Sequence, residues 1–232
     1  MLKVLRPGLA RLLTPVGKAL ARTPLTPNMV TVIGAVGVTA GALALFPTGH
    51  LFAGTMVCTG FVLTDMLDGA LARITGRTGP FGAFLDSTLD RIGDAAVFGG
   101  IAIWLATGGH ARTLAAVALF CLVAGGLVSY AKARAQGLGL RCDVGIAERA
   151  ERLLIGLVAI GLAGLGVPYV LAIGLWALAA LSAITFGQRV HAVWKAAGAG
   201  SASTGSAGTA SASTGPAGTA PASTGEGGAS RT

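Results

Sequence analysis

Five of the nine carboxylates in this 232-residue chain fall within thirty consecutive positions, between two apolar stretches. These acids are Asp65, Asp68, Asp86, Asp90 and Asp94. The flanking stretches, residues 54–64 and 95–107, are apolar enough to be parts of membrane helices. Ionisable groups inside membrane helices are expensive to bury, so where they occur they mark a functional site by default. The acidic cluster is therefore the first candidate for a site.

The composition predicts a membrane protein. Hydrophobic residues make up 53% of the chain, charged residues make up 11%, and the mean hydropathy is +0.74. We predict an all-α integral membrane protein with six transmembrane helices, since about 20 residues cross a hydrocarbon core of about 30 Å. The predicted spans are residues 28–47, 51–75, 82–107, 112–136, 147–166 and 168–194.

The two ends of the chain differ from this hydrophobic region. Residues 1–22 place leucine and valine at steps of three and four with basic residues between them, which predicts an amphipathic helix lying in the membrane interface. Residues 197–232 repeat units of Ser, Ala, Thr, Gly and Pro that cannot form a core, which predicts a disordered tail. The membrane domain between them is predicted to cover residues 23–196.

The distribution of basic residues predicts the orientation. The net charge is +8, and the basic residues are concentrated in the N-terminal segment, in alternate connections and after the last span. The other connections contain only Arg112. This positive-inside pattern predicts a multi-pass protein of the plasma membrane with both termini and the acidic cluster on the cytoplasmic side. The basicity then reflects topology and anionic lipids or substrates, and we expect no nucleic-acid partner.

The spacing of the acids predicts a metal site. Asp65 and Asp68 are three residues apart, and Asp86 and Asp90 are four apart, so each pair shares one helix face. Four close anions would repel one another unless they were protonated or bridged by cations. Oxygen ligands favour magnesium, manganese or calcium over zinc. The alternative, a set of buried ion pairs, is disfavoured because the nearby cations are too few for five acids. Those cations are Arg73, Arg77 and Arg91.

The same residues resemble a family signature. From Asp65 to Asp90 the chain reads Asp-x2-Asp-Gly-x2-Ala-Arg-x8-Gly-x3-Asp-x3-Asp, which matches all eight typed positions of the CDP-alcohol phosphotransferase (phosphatidyltransferase) signature. The pattern of apolar segments extends the resemblance over roughly residues 1–196. The resemblance implies transfer of a phosphatidyl group from CDP-diacylglycerol with release of CMP. It also implies two Mg²⁺ ions per active site, with Mn²⁺ as an alternative, and a homodimer.

The resemblance implies a role for each residue of the signature. Asp65, Asp68, Asp86 and Asp90 would be metal ligands, and Asp90 would also be the general base that deprotonates the acceptor hydroxyl. The residues expected to contact CDP-diacylglycerol are Asn28, Met29, Val30, Thr31, Gly69, Arg73, Thr78 and Gly79. The turn departs from the family pattern, because a hydroxyl is expected at position 79 and this chain has it at 78. Residues 28–31 equally fit a plain helix start after Thr26. Asp94, one helical step beyond the signature, is expected to orient a neighbour or to pair with a cation.

A second cluster predicts the acceptor. The pattern Ser129-x2-Lys132, followed by Glu148-Arg149-x2-Arg152, resembles the phosphate pocket of the bacterial phosphatidylinositol-phosphate synthases, which implies an inositol phosphate as acceptor. The residues expected to bind its phosphate are Ser129, Lys132, Arg152 and Arg189. Two alternatives stay open. Glycerol 3-phosphate could be the acceptor, giving phosphatidylglycerophosphate, or the chain could be a divalent-cation transporter, which would place the acids at mid-membrane depth.

Overall fold

The structure, a computed structural model, describes residues 24–76 and 79–207, and for residues 65–70, 73 and 198–207 it describes the backbone alone. This part of the chain contains six α-helices. They are α1 (Pro27–Leu45), α2 (Leu51–Thr75), α3 (Pro80–Thr107), α4 (Arg112–Gly137), α5 (Arg149–Gly164) and α6 (Val170–Ala207). Each predicted apolar segment forms one of these helices. The amphipathic helix predicted for residues 1–22 lies outside the described residues.

Three of the described helices are long and apolar enough to cross a membrane, namely α1, α4 and the Val170–Ala197 part of α6. In α2 the described side chains before the acidic cluster form a further apolar stretch, Leu51–Thr64. Helix α5 has 16 residues, so it is shorter than the predicted span 147–166. Its start is fixed by a capping box in which the side chains of Glu148 and Glu151 each accept a hydrogen bond from the other's backbone N–H.

The outer faces of the helices expose large apolar side chains. Examples are Ile33, Val36, Phe120, Ile173 and Trp176, each about half exposed or more. Contiguous apolar surface of this kind is rare on soluble monomers and is the surface that lipid chains cover. Within an α-helix the interior backbone N–H and C=O groups bond to one another, which is the condition for crossing a bilayer. The described fold is therefore that of an all-helical membrane protein.

Helix α6 extends beyond residue 197, where the predicted tail begins. It continues to Ala207, whereas the predicted membrane domain ends at residue 196. Residues 197–207 include several alanines, and alanine has the highest helix propensity of all residues. The change in composition near residue 197 therefore does not coincide with the end of a helix. The remainder of the predicted tail, residues 208–232, lies outside the described residues.

The helix boundaries next to the acidic cluster follow local sequence rules. Thr26 is the N-cap of α1 and accepts a hydrogen bond from the Met29 N–H, and Pro27 is at the first helical position, which confirms the predicted start. Helix α2 ends at Gly76, whose φ of +66° is the left-handed conformation that glycine adopts without strain. Pro80 then begins α3. A short turn therefore separates the two acid-bearing helices.

The six helices form a closed ring in the part of the chain that the structure describes. Helix α1 packs against α2 and α3, α2 also packs against α5, α3 against α4, and both α4 and α5 against α6. The order around the ring is α1, α2, α5, α6, α4, α3. Helices α2 and α3 therefore flank α1 on its two sides, and α5 and α4 follow them.

Helix α1 runs antiparallel to α2 and parallel to α3. A Cβ atom at Gly41 would lie 2.7 Å from Val57 Cγ1, and a Cβ at Gly34 would collide with the Thr64 side chain. The absence of side chains at these glycines thus lets the two helices approach closely. On the other side, a Cβ at Gly93 would lie 3.5 Å from Val38 Cγ1.

The hydrophobic core fills the half of the ring away from the Gly76 turn. Its largest fully buried side chains in this half include Phe46, Ile101, Leu105, Ile160 and Leu175. The other half of the ring contains the acids and most of the buried cations. The fold therefore separates an apolar half, which holds the helices together, from a polar half that carries the candidate site.

Candidate functional site

Four residues on one face of α3 line the polar half of the ring. Gly82, Asp86, Asp90 and Asp94 follow one another at steps of four, so they form one row along the helix. Gly82 faces the start of α1, because a Cβ atom there would lie 3.2 Å from Asn28 Oδ1. Along α3, Asp86 therefore lies about one helical turn, and Asp90 about two turns, beyond the contact between Gly82 and Asn28.

The backbone brings the acids of α2 to the same height as those of α3. Thr64 packs at Gly34 of α1, and Gly34 and Asp90 line the same small cavity. Asp65 directly follows Thr64, so its backbone lies at the level of Asp90. Asp68 and Asp86 both lie about one turn nearer to the Gly76 turn. The four signature acids therefore occupy two adjacent levels on two helices that flank α1.

Asp90 and Asp94 form a charge cluster with two arginines. Arg149 Nη1 lies 2.6 Å from Asp90 Oδ1, and Arg149 Nε donates to Asp94 Oδ1 at 3.2 Å. Arg91 Nη2 lies 3.9 Å from a carboxylate oxygen of each acid. Both acid side chains are about 15% exposed, so these contacts form away from bulk water and are screened less than surface pairs. We call these four residues the quartet; two negative and two positive charges balance within it.

The quartet is linked to α4 through Ser129. The Arg91 guanidinium donates to Ser129 Oγ, and that hydroxyl donates to the Gly125 carbonyl oxygen at 3.1 Å. Ser129 was predicted to bind the acceptor phosphate, and in the structure it lies next to the acids of α3. The predicted acceptor cluster and the predicted metal cluster are therefore adjacent.

Two predicted acceptor residues, Arg152 and Arg189, are buried and make contacts of another kind. Arg152 donates to the carbonyl oxygens of Ala147 at 3.2 Å and Gly125 at 3.3 Å. Arg189 donates to the Val144 carbonyl oxygen at 3.0 Å and to the Val128 carbonyl oxygen. Their residues are 4% and 5% exposed. In the described part of the chain they pair with no carboxylate, so two positive charges lie buried with neutral partners.

Lys132, the fourth predicted acceptor residue, is at the edge of this cluster. Its Nζ lies 3.1 Å from Asp143 Oδ1, and the Asp143 side chain is 73% exposed. Asp143 belongs to the connection between α4 and α5, which is fixed to α6 by the Ala147 N–H donating to Thr185 Oγ1 at 3.2 Å. The connection thus covers the buried arginines from the side of α6, and Lys132 reaches toward water.

Those residues predicted to contact CDP-diacylglycerol that the structure describes lie at the same end of the ring. Residues 28–31 form the first turn of α1, where Thr31 Oγ1 donates to the Pro27 carbonyl oxygen at 3.0 Å. Gly79 is the exposed N-cap of α3. The structure describes only the backbone of Gly69 and Arg73 within α2, and Thr78 lies outside the described residues. These elements surround the polar half of the ring.

Sequence reasoning did not include Arg91, Arg149 or Asp94 among the site residues. The expectation that Asp94 pairs with a cation is confirmed by its contacts with Arg149 and Arg91. One signal for Asp94 was available, since it continues the row of Asp86 and Asp90 at a further step of four. The partnership of Arg149 with Asp90 joins residues 59 positions apart and required the packing of α5 near α3.

The donor chemistry of the signature acids fits a hard divalent cation. Four aspartates whose backbones lie on two neighbouring levels would supply an oxygen-only ligand set, which suits magnesium or manganese. Among the side chains that the structure describes, which include Asp86 and Asp90 but not Asp65 and Asp68, no three acidic, histidine or cysteine residues form a metal-binding group. The two guanidinium groups at Asp90 show that this acid is placed to bind a cation.

Comparison with a protein-family model agrees with this geometry. Residues 24–187 match the model of the CDP-alcohol phosphatidyltransferases. The matched region contains all six described helices except the end of α6. It therefore includes the acids of α2 and α3 and the arginines of the quartet.

Curated relatives and solved structures match the chain over most of its length. The phosphatidylinositol phosphate synthase of Streptomyces avermitilis is 48% identical over 209 residues, which are 87% of this chain and 86% of that protein. The enzyme of the same name from Mycobacterium tuberculosis is 48% identical over 197 residues, covering 84% of this chain and 91% of that protein. Its crystal structure with CDP-DAG bound has a TM-score of 0.76 at 49% identity and covers 79% of this chain and 94% of that chain. A crystal structure of the Mycobacterium tuberculosis enzyme in complex with manganese and citrate also has a TM-score of 0.76, at 49% identity. It covers 78% of this chain and 88% of that chain.

Proposed function

Because the chain belongs to the CDP-alcohol phosphatidyltransferase family, we propose that it transfers the phosphatidyl group of CDP-diacylglycerol to an inositol phosphate. The products are CMP and phosphatidylinositol phosphate. The relatives' name points to inositol phosphate, and one observation supports a phosphorylated acceptor: two buried arginines without carboxylate partners in the described structure lie beside the acids of α3. A buried positive charge is costly unless an anion compensates it, and a phosphate monoester supplies up to two negative charges.

The metal site of this proposal consists of Asp65, Asp68, Asp86 and Asp90. Two Mg²⁺ ions, or Mn²⁺ in their place, would neutralise the pyrophosphate of the donor and polarise its phosphorus. The backbone levels support this assignment, since Asp65 lies level with Asp90, and Asp68 with Asp86. The relative crystallised with manganese supports a divalent metal in this family.

The residues of α3 carry the proton transfer. Asp90 is the general base, because it is about 15% exposed and lies next to the phosphate-binding cluster on α4. It takes the proton from the acceptor hydroxyl as the oxygen attacks the β-phosphorus, and CMP leaves with the electrons of the broken P–O bond.

The donor contacts surround the Gly76 turn. We assign residues 28–31, Gly69, Arg73, Thr78 and Gly79 to CDP-diacylglycerol, because the described members of this set cluster at the polar end of the ring. Arg73 would bind phosphate in bidentate fashion. Gly69 would let the nucleotide approach the α2 backbone.

The acceptor phosphate binds Ser129, Lys132, Arg152 and Arg189 in this proposal. We place the entrance for the acceptor at Lys132, since its side chain is 38% exposed and its only described partner is the exposed carboxylate of Asp143. Ser129 connects the pocket to Arg91 and hence to Asp90. A phosphate held here would place a neighbouring hydroxyl near the general base.

We propose that all six helices cross the plasma membrane, with both termini and the active site on the cytoplasmic side. The acids are then near the cytoplasmic surface, where water-soluble inositol phosphate arrives and CMP leaves. The positive-inside distribution of arginine and lysine supports this orientation. The protein is expected to function as a homodimer in the bilayer.

The test is CMP release by the purified full-length protein with CDP-diacylglycerol and Mg²⁺. Inositol phosphate, free inositol and glycerol 3-phosphate are offered in parallel reactions. We expect turnover with inositol phosphate alone. Turnover with glycerol 3-phosphate alone would keep the metal site and overturn the acceptor assignment. Divalent-cation uptake into proteoliposomes without CMP release would favour the transporter alternative.

A further inference from the structure

We propose that Arg149 is the counter-cation of the metal site: it neutralises Asp90 and Asp94 before metal binds, and divalent metal displaces it from Asp90. The inference deepens the proposed function, because it rests on Asp90 being a metal ligand. Arg149 is thus a positioning residue whose occupancy of Asp90 alternates with that of the metal.

The geometry gives Arg149 the contacts of a bound cation. Its Nη1 lies 2.6 Å from Asp90 Oδ1, its Nη2 donates to the Asp90 carbonyl oxygen at 3.5 Å, and its Nε donates to Asp94 at 3.2 Å. The Arg149 side chain is 23% exposed and also lines the small cavity between α1, α2 and α3. It therefore occupies the space next to the acid to which a metal would bind.

The place of Arg149 in its own helix supports a role outside that helix. It is the first residue of α5, where the helix dipole is positive and a cation is unfavourable. Its neighbours follow the ordinary preference, since Glu148 and Glu151 form the capping box. The cation at this position is held by the acids of α3, and so depends on their charge.

A divalent ion would compete directly with this ion pair. Asp90 cannot bind both the metal and the guanidinium through the same oxygen, and the higher charge of the metal favours the metal. Asp94 is outside the signature and stays available to Arg149 after displacement. The released guanidinium then remains bound to Asp94, one helical turn from Asp90.

The experiment measures Mn²⁺ binding to the detergent-solubilised full chain by electron paramagnetic resonance of free Mn²⁺, without substrates. We expect Arg149→Gln to bind Mn²⁺ with a Kd about three- to tenfold lower than the wild type, since one partly buried competing ion pair is lost. Arg149→Lys should fall between the two, because lysine keeps the charge and loses the forked contact. Arg134→Gln, at an exposed arginine in the last turn of α4, is the control and should match the wild type.

Arg91→Gln separates displacement from a general effect of nearby charge. Arg91 lies 3.9 Å from the same two acids and carries the same charge, but it makes the weaker contacts. We expect its removal to change the Mn²⁺ affinity less than the removal of Arg149. Equal effects of the two variants, or an unchanged or weaker affinity in Arg149→Gln, would overturn the inference. Absence of Mn²⁺ binding in every variant would overturn the metal site itself, and the inference with it.

Thermal unfolding gives a second readout that does not depend on activity. With EDTA, Arg149→Gln should unfold at a lower temperature than the wild type, because Asp90 and Asp94 lose their compensating charge. Saturating Mn²⁺ should raise its Tm by more than it raises that of the wild type. A purely structural arginine would lower the Tm by the same amount with and without metal.

Asp94→Asn tests whether Asp94 holds Arg149 after the metal displaces it from Asp90. In the wild-type background it should weaken Mn²⁺ binding, because Arg149 then has Asp90 as its remaining carboxylate in the quartet. In the Arg149→Gln background the same substitution should have a smaller effect. Equal effects in both backgrounds would show that Asp94 acts on the metal without Arg149.

Discussion

The arginines of the polar half occupy two different environments. Arg149 and Arg91 face the carboxylates of α3, whereas Arg152 and Arg189 face backbone carbonyl oxygens and are more deeply buried. In the first environment guanidinium groups already contact Asp90 and Asp94, so that a further cation reaches these two carboxylates by exchange. In the second a positive charge is surplus, so that an anion can enter by addition. One side of the site is thus suited to metal and the other to phosphate, with Ser129 between them.

The largest expected effect comes from the acidic side. Asp90→Asn should lower kcat for CMP release by about 10³-fold, because it removes the general base and a metal ligand while keeping the size of the side chain. The measurement is CMP release at saturating substrates. The Tm with EDTA serves as the folding control, since the variant also removes the partner of Arg149. Activity within tenfold of the wild type would exclude Asp90 as the base.

Removal of a surplus charge should act mainly on acceptor binding. Arg189→Gln should raise the KM for inositol phosphate about 10- to 100-fold, since a hydrogen bond to a charged group contributes about 1.5–3 kcal/mol. The KM for CDP-diacylglycerol should change little. Glutamine can still donate to one of the two carbonyl oxygens, which limits the loss of stability. An equal rise of both KM values would assign Arg189 to the fold rather than to the acceptor.

Removal of the Ser129 hydroxyl, which lies between the two environments, should have an intermediate effect on acceptor binding. Ser129→Ala removes the hydroxyl that accepts from Arg91, and we expect the KM for inositol phosphate to rise about tenfold, because a hydrogen bond to a charged group contributes about 1.5 kcal/mol at the lower end of its range. Ser87→Ala, at an exposed hydroxyl on α3, is the matched control. If both variants behave alike, Ser129 does not connect the two sides.

The smallest effect is expected at the exposed ion pair between Lys132 and Asp143, at the entrance to the acceptor pocket. Asp143→Asn removes the exposed partner of Lys132, and exposed ion pairs contribute about 0–1 kcal/mol. We expect the KM for inositol phosphate to fall by less than about threefold at low salt, because Lys132 becomes available to the acceptor. The difference should disappear at high ionic strength. A higher KM would mean that Asp143 positions Lys132 rather than competing for it.

The helices and the acidic row could be predicted from the sequence because both depend on local order. Apolar stretches of the right length form helices, a threonine before a proline starts one, and acids four residues apart share a face. The family signature added the roles of the acids, which remain proposals. The predicted extent of α5 and the helical boundary after residue 196 were less accurate, because capping and helix propensity act over a few residues that hydropathy does not resolve.

The arrangement of the arginines could not be predicted in the same way. Arg149, Arg152 and Arg189 all read as basic residues near helix ends, and the positive-inside rule describes each of them equally well. Only the ring order brings Arg149 to the carboxylates and leaves Arg152 and Arg189 with carbonyl groups. The information that separates them is the packing of helices far apart in the sequence.

The ring order also has a consequence for biosynthesis. Helices α1 to α3, which carry the acids, leave the ribosome well before α5 and α6, and Arg149 follows Asp90 by 59 residues. Until α5 is inserted, Asp90 and Asp94 have Arg91 of their own helix beside them but lack Arg149. The nascent chain therefore passes through a stage in which this charge cluster is incomplete, and the cluster is completed only when the fifth helix joins the first three.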